Sequence, residues 1–338
     1  MEAKLNAPYD IIKKIFFNYI NKACNLKLAL WAPIFILFFL CLIISLINSN
    51  FLSFGNLVRI SQTAIIPLVL GLGSTFIILM GSIDLSVEGI LTLGAVILSM
   101  LVLNGSNEFN LGIFAIPFVL SIGASVGFIN GLIHVKLKVP SFMVTLGMWF
   151  ISAGVANALL GGNAIRINDS FIRGLAIERF IGFPWGVWVA FFCLIVAILI
   201  QNHTRLGRYI YALGGGEELA AFSGISTTRV RIATFMIAGI FYSIGGILAA
   251  AQLGLGTSQI GNGRLFTTVT AVVVGGTSLM GGQGGVLQTL VGVFIVVVLS
   301  NGMVLMGVPP SVQIGVQGIM FILAVALSID RKLKSVVK

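Results

Sequence analysis

The chain has 338 residues, 58% of them hydrophobic and 9% charged, with a mean hydropathy of +1.09 and a formal net charge of +10. Soluble domains carry roughly 25% charged residues, so this composition excludes a water-soluble globular protein and predicts an all-α polytopic membrane protein. The apolar runs are continuous rather than alternating, which excludes a membrane β-barrel. The basic residues cluster at the ends of those runs, as orientation signals do, which argues against nucleic-acid binding.

Residues 1–27 read as a leader that stays on the protein. The first apolar run is too long for a signal peptide core, and no small-x-small cleavage site follows it. Over 8–27, Ile11, Ile12, Ile15, Tyr19 and Ala23 share one helical face while Lys13, Lys14, Asn18 and Lys22 lie off it. A basic amphipathic helix of this kind lies in the lipid headgroup layer; the alternative is a plain solvated leader. About ten transmembrane helices follow, some short or broken, at 28–48, 60–80, 88–103, 111–135, 141–160, 185–200, 232–251, 266–280, 286–301 and 311–328. The third, sixth, eighth and ninth are short for a bilayer, which predicts tilts, breaks or re-entrant pieces. With the N-terminus inside, the inner segments hold 15 of the 20 Lys and Arg residues. That asymmetry predicts cytoplasmic N- and C-termini. The chain thus divides into the leader, a transmembrane domain over 28–328 and a basic cytoplasmic tail over 329–338.

Within the domain, the outer loop 161–184 is expected to form a short helix on the membrane surface, either docking a partner or standing solvated. Gly123, Gly127 and Gly131 recur every fourth residue, a flat strip that lets a neighbouring backbone approach closely. Asn130 beside it either bonds another helix or lines a solute path. The longest polar interruption, 201–231, falls on the cytoplasmic side and reads as a structured loop that touches something soluble.

Enzymatic chemistry has no visible constellation. No glycine-rich run ends in Gly-Lys-Ser or Gly-Lys-Thr, so the chain lacks a Walker A loop for ATP. The cysteines, Cys24, Cys41 and Cys193, have neither metal nor disulfide spacing, and the two histidines, His134 and His203, both fall near the inner interface. No catalytic and no metal-binding residues are expected. The span interiors carry essentially no ionisable residue, with Glu88 at an edge, which disfavours a proton-driven carrier; sodium coupling through carbonyls and hydroxyls stays open.

Two polar, glycine-bearing breaks remain. In Gly81-Ser82-Ile83-Asp84-Leu85-Ser86-Val87-Glu88, Asp84 or Ser86 either caps the next helix or belongs to a broken helix whose end faces a solute. In the stretch from Gly275 to Gly285, the glycine density is too high for an uninterrupted helix, and Thr277, Ser278 and Gln283 supply groups suited to a neutral polyhydroxylated solute; a tight turn is the competing account.

These breaks, with Leu206-Gly207-Arg208-Tyr209-Ile210-Tyr211-Ala212-Leu213-Gly214-Gly215 and Ala220-Ala221-Phe222-Ser223-Gly224-Ile225, resemble the membrane permease subunits of ribose-type ABC importers, in the right order from about residue 54 to 327. The resemblance implies a bacterial cytoplasmic (inner) membrane protein that pairs with a second permease copy or a paralogue. It also implies a cytoplasmic ABC ATPase, which uses the ATP and Mg, and a periplasmic or lipid-anchored sugar-binding protein. The chain itself would bind no cofactor, and the lipid bilayer would be its surroundings. Its cargo would be a monosaccharide, with autoinducer-2 or a nucleoside as alternatives. An ion-coupled carrier for a small neutral solute and a non-transporting scaffold are the competing classes. By resemblance, Gly214, Gly215, Glu217, Glu218, Ala220, Ala221, Ser223 and Gly224 form the ATPase-coupling segment, with a short helix over 217–222 as a rigid peg. The substrate-path candidates are Asp84, Ser86, Asn130, Thr277, Ser278 and Gln283. Two departures stand out: Glu88 sits where relatives commonly have glycine, and Arg264 with Thr267 and Thr268 sits where many carry acidic residues.

Overall fold

A computed structural model describes residues 31–106 and 110–328. The leader's amphipathic segment and the basic tail lie outside the described residues. Each of the ten apolar segments holds a helix: α1 (Trp31–Ile47), α2 (Phe54–Leu79), α3 (Val87–Leu101), α4 (Ala115–Lys136), α5 (Ser141–Leu160), α7 (Trp185–His203), α10 (Thr227–Leu253), α11 (Arg264–Val274), α12 (Val286–Leu305) and α13 (Pro310–Ser328). Three further helices lie between them: α6 (Ser170–Ile177), α8 (Arg205–Gly215) and α9 (Glu217–Phe222). Six of the ten are long and apolar enough to cross a membrane; α1, α3, α11 and the apolar part of α13 are shorter.

The centre of the bundle is α2, α3 and α10. From Ile60 onward α2 is buried on nearly every side, as expected of a helix that is apolar all round. Polar pairs join it to α12 without leaving either partner dry: Asn56 and Asn301 exchange reciprocal amide hydrogen bonds (3.0 and 2.9 Å), and the Thr75 and Thr289 hydroxyls lie 2.5 Å apart. The α4 glycine strip does what its spacing predicts. A Cβ at Gly123, Gly127 or Gly131 would run into the backbone of α10 at Gly239, Phe235 or Ile232, so those two helices meet backbone to backbone. By contrast, α5 and α7 keep much of their apolar surface exposed, including Phe150, Ile151 and Phe192, as helices bordering lipid do.

The eighth apolar segment, expected at 266–280 as a short piece that is tilted, broken or re-entrant, holds a short helix preceded by a non-helical stretch. After α10 ends at Gly254, in the left-handed conformation (φ 74°), the chain turns back along α3. It passes Ser99 at Gly256 and Thr92 and Glu88 at Gly261, contacts so close that neither glycine has room for a side chain. Only then does α11 begin, and its 11 residues give a length of about 16 Å at 1.5 Å per residue. It ends at Val274, six residues before the expected end. The glycines at 254, 256 and 261 are buried where the chain descends in a non-helical form against α3, as irregular backbone at membrane depth must pack on protein. Two of the other short runs are longer than expected: α7 continues to His203 through the polar Gln201 and Asn202, and α12 continues past Asn301 to Leu305.

The bundle has two unlike ends. One carries α8 and α9. The other carries α6, expected as a short helix in the 161–184 loop, with a short antiparallel pairing of Ile165–Arg166 to Leu255–Gly256. Asp169 caps α6 through the Ile172 N–H (2.9 Å), and Arg173 donates to the Ala251 carbonyl (2.8 Å) in the last turn of α10. A cation there satisfies a free helix-end carbonyl and complements the dipole.

Candidate functional site

At the end carrying α8 and α9, three segments far apart in sequence come together: the 80–86 break, the 275–285 break and the 201–231 loop. The Gly282 N–H donates to the Leu79 carbonyl (2.9 Å), tying the second break to the end of α2. Gly214, in the last turn of α8, lies so close to Leu79 and Gly282 that a Cβ there would collide with both backbones. The Tyr211 hydroxyl of α8 donates to the Gly284 carbonyl (2.6 Å), and burial pushes its phenol up, so it stays a donor. Gln201, at the end of α7, accepts from the Val286 N–H through Oε1 (2.7 Å) and so caps α12.

The coupling candidates divide by burial. Gly214 faces inward, as described. Gly215 has nothing within reach of an added Cβ. Ala220 is buried, whereas Glu218, Ala221, Ser223 and Gly224 are exposed; Gly224 adopts the left-handed region (φ 79°) that ends α9, and the Ser223 hydroxyl returns to the Leu219 carbonyl. Glu217 forms the one ion pair among the described residues, to Arg231 at 2.6 Å. The outer face of α9 also presents Leu219 and Phe222, 72% and 88% exposed, an apolar knob on a six-residue helix. Arg231, in the first turns of α10, turns inward, its side chain 14% exposed.

The path candidates of the first break form a connected polar chain. Asp84 Oδ1 accepts from the Ser86 N–H (2.8 Å) and hydroxyl (2.6 Å), and Asn130 Nδ2 donates to Ser86 Oγ (3.0 Å). Tyr242 of α10 lies beside Asp84, and its hydroxyl is 3.2 Å from Ser74 Oγ. Asp84 therefore closes a turn onto a residue two positions on, and Ser86, at the N-cap of α3, makes no side-chain cap bond. Asn130 bonds the break rather than a helix backbone, and its Oδ1 is buried without a protein partner. A cavity of about 190 Å³ opens beside the break, walled by α2, α11 and α13. Its lining includes Asp84, Leu265, Phe266, Leu279 and Phe321, and its only polar contributors are Ser74 and Asp84.

The candidates of the second break serve its turns. Thr277 Oγ1 accepts from the Gly285 N–H (3.3 Å), Ser278 Oγ from the Met280 N–H (3.2 Å), and the Ser278 N–H donates to the Gln283 carbonyl (3.0 Å). The Gln283 residue is exposed. None of the three lines the cavity beside Asp84.

Glu88 stands in the first turn of α3, at the edge of its helix as expected, yet it is buried. It is 5% exposed, and its Oε1 accepts from the Leu265 N–H at 2.8 Å. Gly94, less than two turns further along α3, packs on Ser243 near the midpoint of α10, so Glu88 lies inside the bundle. It supplies the cap that α11 lacks, since the N-cap Gly263 (φ 76°) has no side chain to offer. Arg264, next to the cap, has its guanidinium in the field of the Glu88 carboxylate. The two departures noted in the sequence thus meet in space. No sequence signal pairs them, because 177 positions separate Glu88 from Leu265.

Among the described residues no cluster of His, Cys, Asp and Glu has the makings of a metal site. Residues 56–325 match the family model described as "Branched-chain amino acid transport system / permease component". The chain is 35% identical over 288 residues to a ribose import permease protein of Escherichia coli strain K12, covering 84% of this chain and 88% of that one. It is 34% identical to a ribose import permease protein of Bacillus subtilis strain 168, covering 89% and 92%, and 32% identical to a fructose import permease protein of Rhizobium meliloti, covering 83% and 80%. No solved structure matches the chain significantly.

Proposed function

The chain belongs to the permease-component family of the branched-chain amino acid transport type, and from that membership we propose that it is the membrane-spanning subunit of an ATP-binding-cassette importer for a monosaccharide. The observation that carries the sugar assignment is similarity over most of the chain to permeases named for ribose and fructose import. The chain is a multi-pass membrane protein and not an enzyme. ATP and Mg are used by a separate cytoplasmic ATPase, and a periplasmic or lipid-anchored binding protein delivers the solute. A second permease copy or a paralogue completes the path.

In this reading all ten apolar segments of 28–328 cross or enter the membrane, with the eighth discontinuous. Both termini, the leader 1–27 and the tail 329–338 are cytoplasmic, which the distribution of Lys and Arg supports. The end carrying α8 and α9 then faces the cytoplasm. Leu219 and Phe222, flanked by Glu218 and Gly224, form the peg that seats in the ATPase, and exposed apolar side chains on so short a helix support that contact. The solute passes the 80–86 break beside Asp84, where a carboxylate accepts hydroxyl donors. Thr277, Ser278 and Gln283 act on the path only by shaping the second break. Asp84 and Glu88 are both held by donors within the protein, which supports positioning roles over proton carriage.

The test is uptake by proteoliposomes holding the permease, its ATPase and its binding protein, offered pentoses, hexoses, a nucleoside and autoinducer-2 in turn. ATP-dependent uptake of a monosaccharide is expected. Uptake driven by a sodium or proton gradient with no ATP would overturn the assignment in favour of an ion-coupled carrier.

A further inference from the structure

The Arg231 side chain touches the peg helix, the end of α4 and the 80–86 break at once. Its Nε and Nη2 grip the two Glu217 oxygens of α9 at 3.2 and 2.6 Å. Its Nη1 donates to Ser82 Oγ at 3.2 Å and meets His134 Nε2 at 2.8 Å. The His134 contact fixes its own chemistry. The Val139 carbonyl, 2.7 Å from Nδ1, only accepts, so Nδ1 carries the proton, and Nε2 offers a lone pair to a guanidinium that only donates. Four of the five Arg231 N–H groups are thereby engaged, on a side chain 14% exposed. A planar fork held on two sides transmits displacement in a way a flexible ammonium cannot.

Arg231 lies in the first turns of α10 and meets Ser82, while Tyr242, three turns on, lies beside Asp84. One helix therefore touches the break at Ser82 and again next to Asp84, which lines the cavity. At its start it is bound to α9 by the one ion pair among the described residues. We propose that Arg231 is a positioning residue that relays movement of α9 to the Ser82–Asp84 break, so that solute passage is coupled to the ATPase cycle. The proposal rests on the permease reading above and adds the route by which the two processes are joined. Neither Arg231, Ser82 nor His134 contacts the solute cavity itself.

The experiment uses the full reconstituted complex with three readouts: ATPase retained on the purified permease, ATP hydrolysis, and solute taken up per ATP hydrolysed. Arg231→Ala cuts the relay at its centre and Ser82→Ala cuts only the arm to the break. Both are expected to retain the ATPase and to hydrolyse ATP, while uptake per ATP falls by roughly tenfold for Arg231→Ala, the scale of losing one charge-assisted hydrogen bond in the driven state. Arg231→Lys, which keeps the charge but not the fork, is expected to fall between. If Arg231→Ala instead sheds the ATPase while Ser82→Ala keeps full uptake per ATP, Arg231 merely anchors α9 and the relay is overturned. Unchanged uptake per ATP in both variants overturns it as well. A wild-type chain that holds no ATPase would contradict the permease reading itself, an outcome distinct from either of these.

Discussion

Removing the Glu88 carboxylate probes the broken span directly. In Glu88→Ala the Leu265 N–H, at the start of α11, loses an acceptor held at 2.8 Å. An orphaned buried donor costs about 1–3 kcal/mol. Because Glu88 is 5% exposed, water cannot readily replace the lost acceptor. Arg264 loses the negative charge in whose field it lies, which adds to the cost. Glu88→Gln keeps an acceptor oxygen and loses only the charge, so its cost is about 1 kcal/mol, the difference between a charged and a neutral hydrogen bond. For a protein of this size, a few kcal/mol lowers the melting midpoint by on the order of 5 °C. The assay is thermal unfolding of the detergent-purified complex for Glu88→Ala, Glu88→Gln, Arg264→Ala and the Glu88→Ala/Arg264→Ala pair. The expected order is a large drop for Ala, a small one for Gln, and a double variant milder than the sum of the singles, since each single leaves one charge uncompensated. Equal midpoints for Glu88→Ala and Glu88→Gln, or strict additivity of the pair, would refute the cap.

Other contacts make equally specific demands. Gly127→Leu places a side chain against the Phe235 carbonyl of α10 and should abolish accumulation in membranes; Gly154→Leu, where nothing lies within reach, should accumulate like wild type on an immunoblot. Tyr211→Phe removes the bond to the Gly284 carbonyl and should cost about 1 kcal/mol, read as a melting shift of a few degrees with the ATPase still bound. Asp84→Ala deprives the Ser86 N–H and hydroxyl of their acceptor and should nearly abolish uptake at normal membrane levels. Asp84→Asn keeps one carbonyl oxygen and should retain part of it; equal uptake by the two would show that the turn does not depend on this acceptor.

Hydropathy made the spans legible because a helix in lipid must be apolar over a bilayer's thickness. Spacing made the α4 glycine strip legible, and the family resemblance made α9 legible, with Gly216 before it and Gly224 after it. The missed features are those set by partners distant in sequence. The helix α8 was hidden by Gly214 and Gly215, which read as loop residues; tertiary contact with Leu79 and Gly282 outweighs their poor helix propensity. The eighth span read as short and prone to a break, but the chain's course along α3 before it leaves only glycines as its trace. Arg231 sat where a headgroup anchor belongs, and nothing local indicates that Glu217, Ser82 and His134 converge on it. Asp84 and Ser86 were found, but which of them bonds the other depends on the fold.

In the proposed complex α9 meets the ATPase on the cytoplasmic side, and disulfide cross-linking reads that contact without intermediaries. In a background lacking Cys24, Cys41 and Cys193, Phe222→Cys on α9 is compared with Ile177→Cys at the end of α6, both positions being well exposed (88% and 60%). With single cysteines introduced on the ATPase surface, the account predicts a cross-linked permease–ATPase band from Phe222→Cys and none from Ile177→Cys. A band from Ile177→Cys, or none from Phe222→Cys in a complex that still co-purifies, would contradict it.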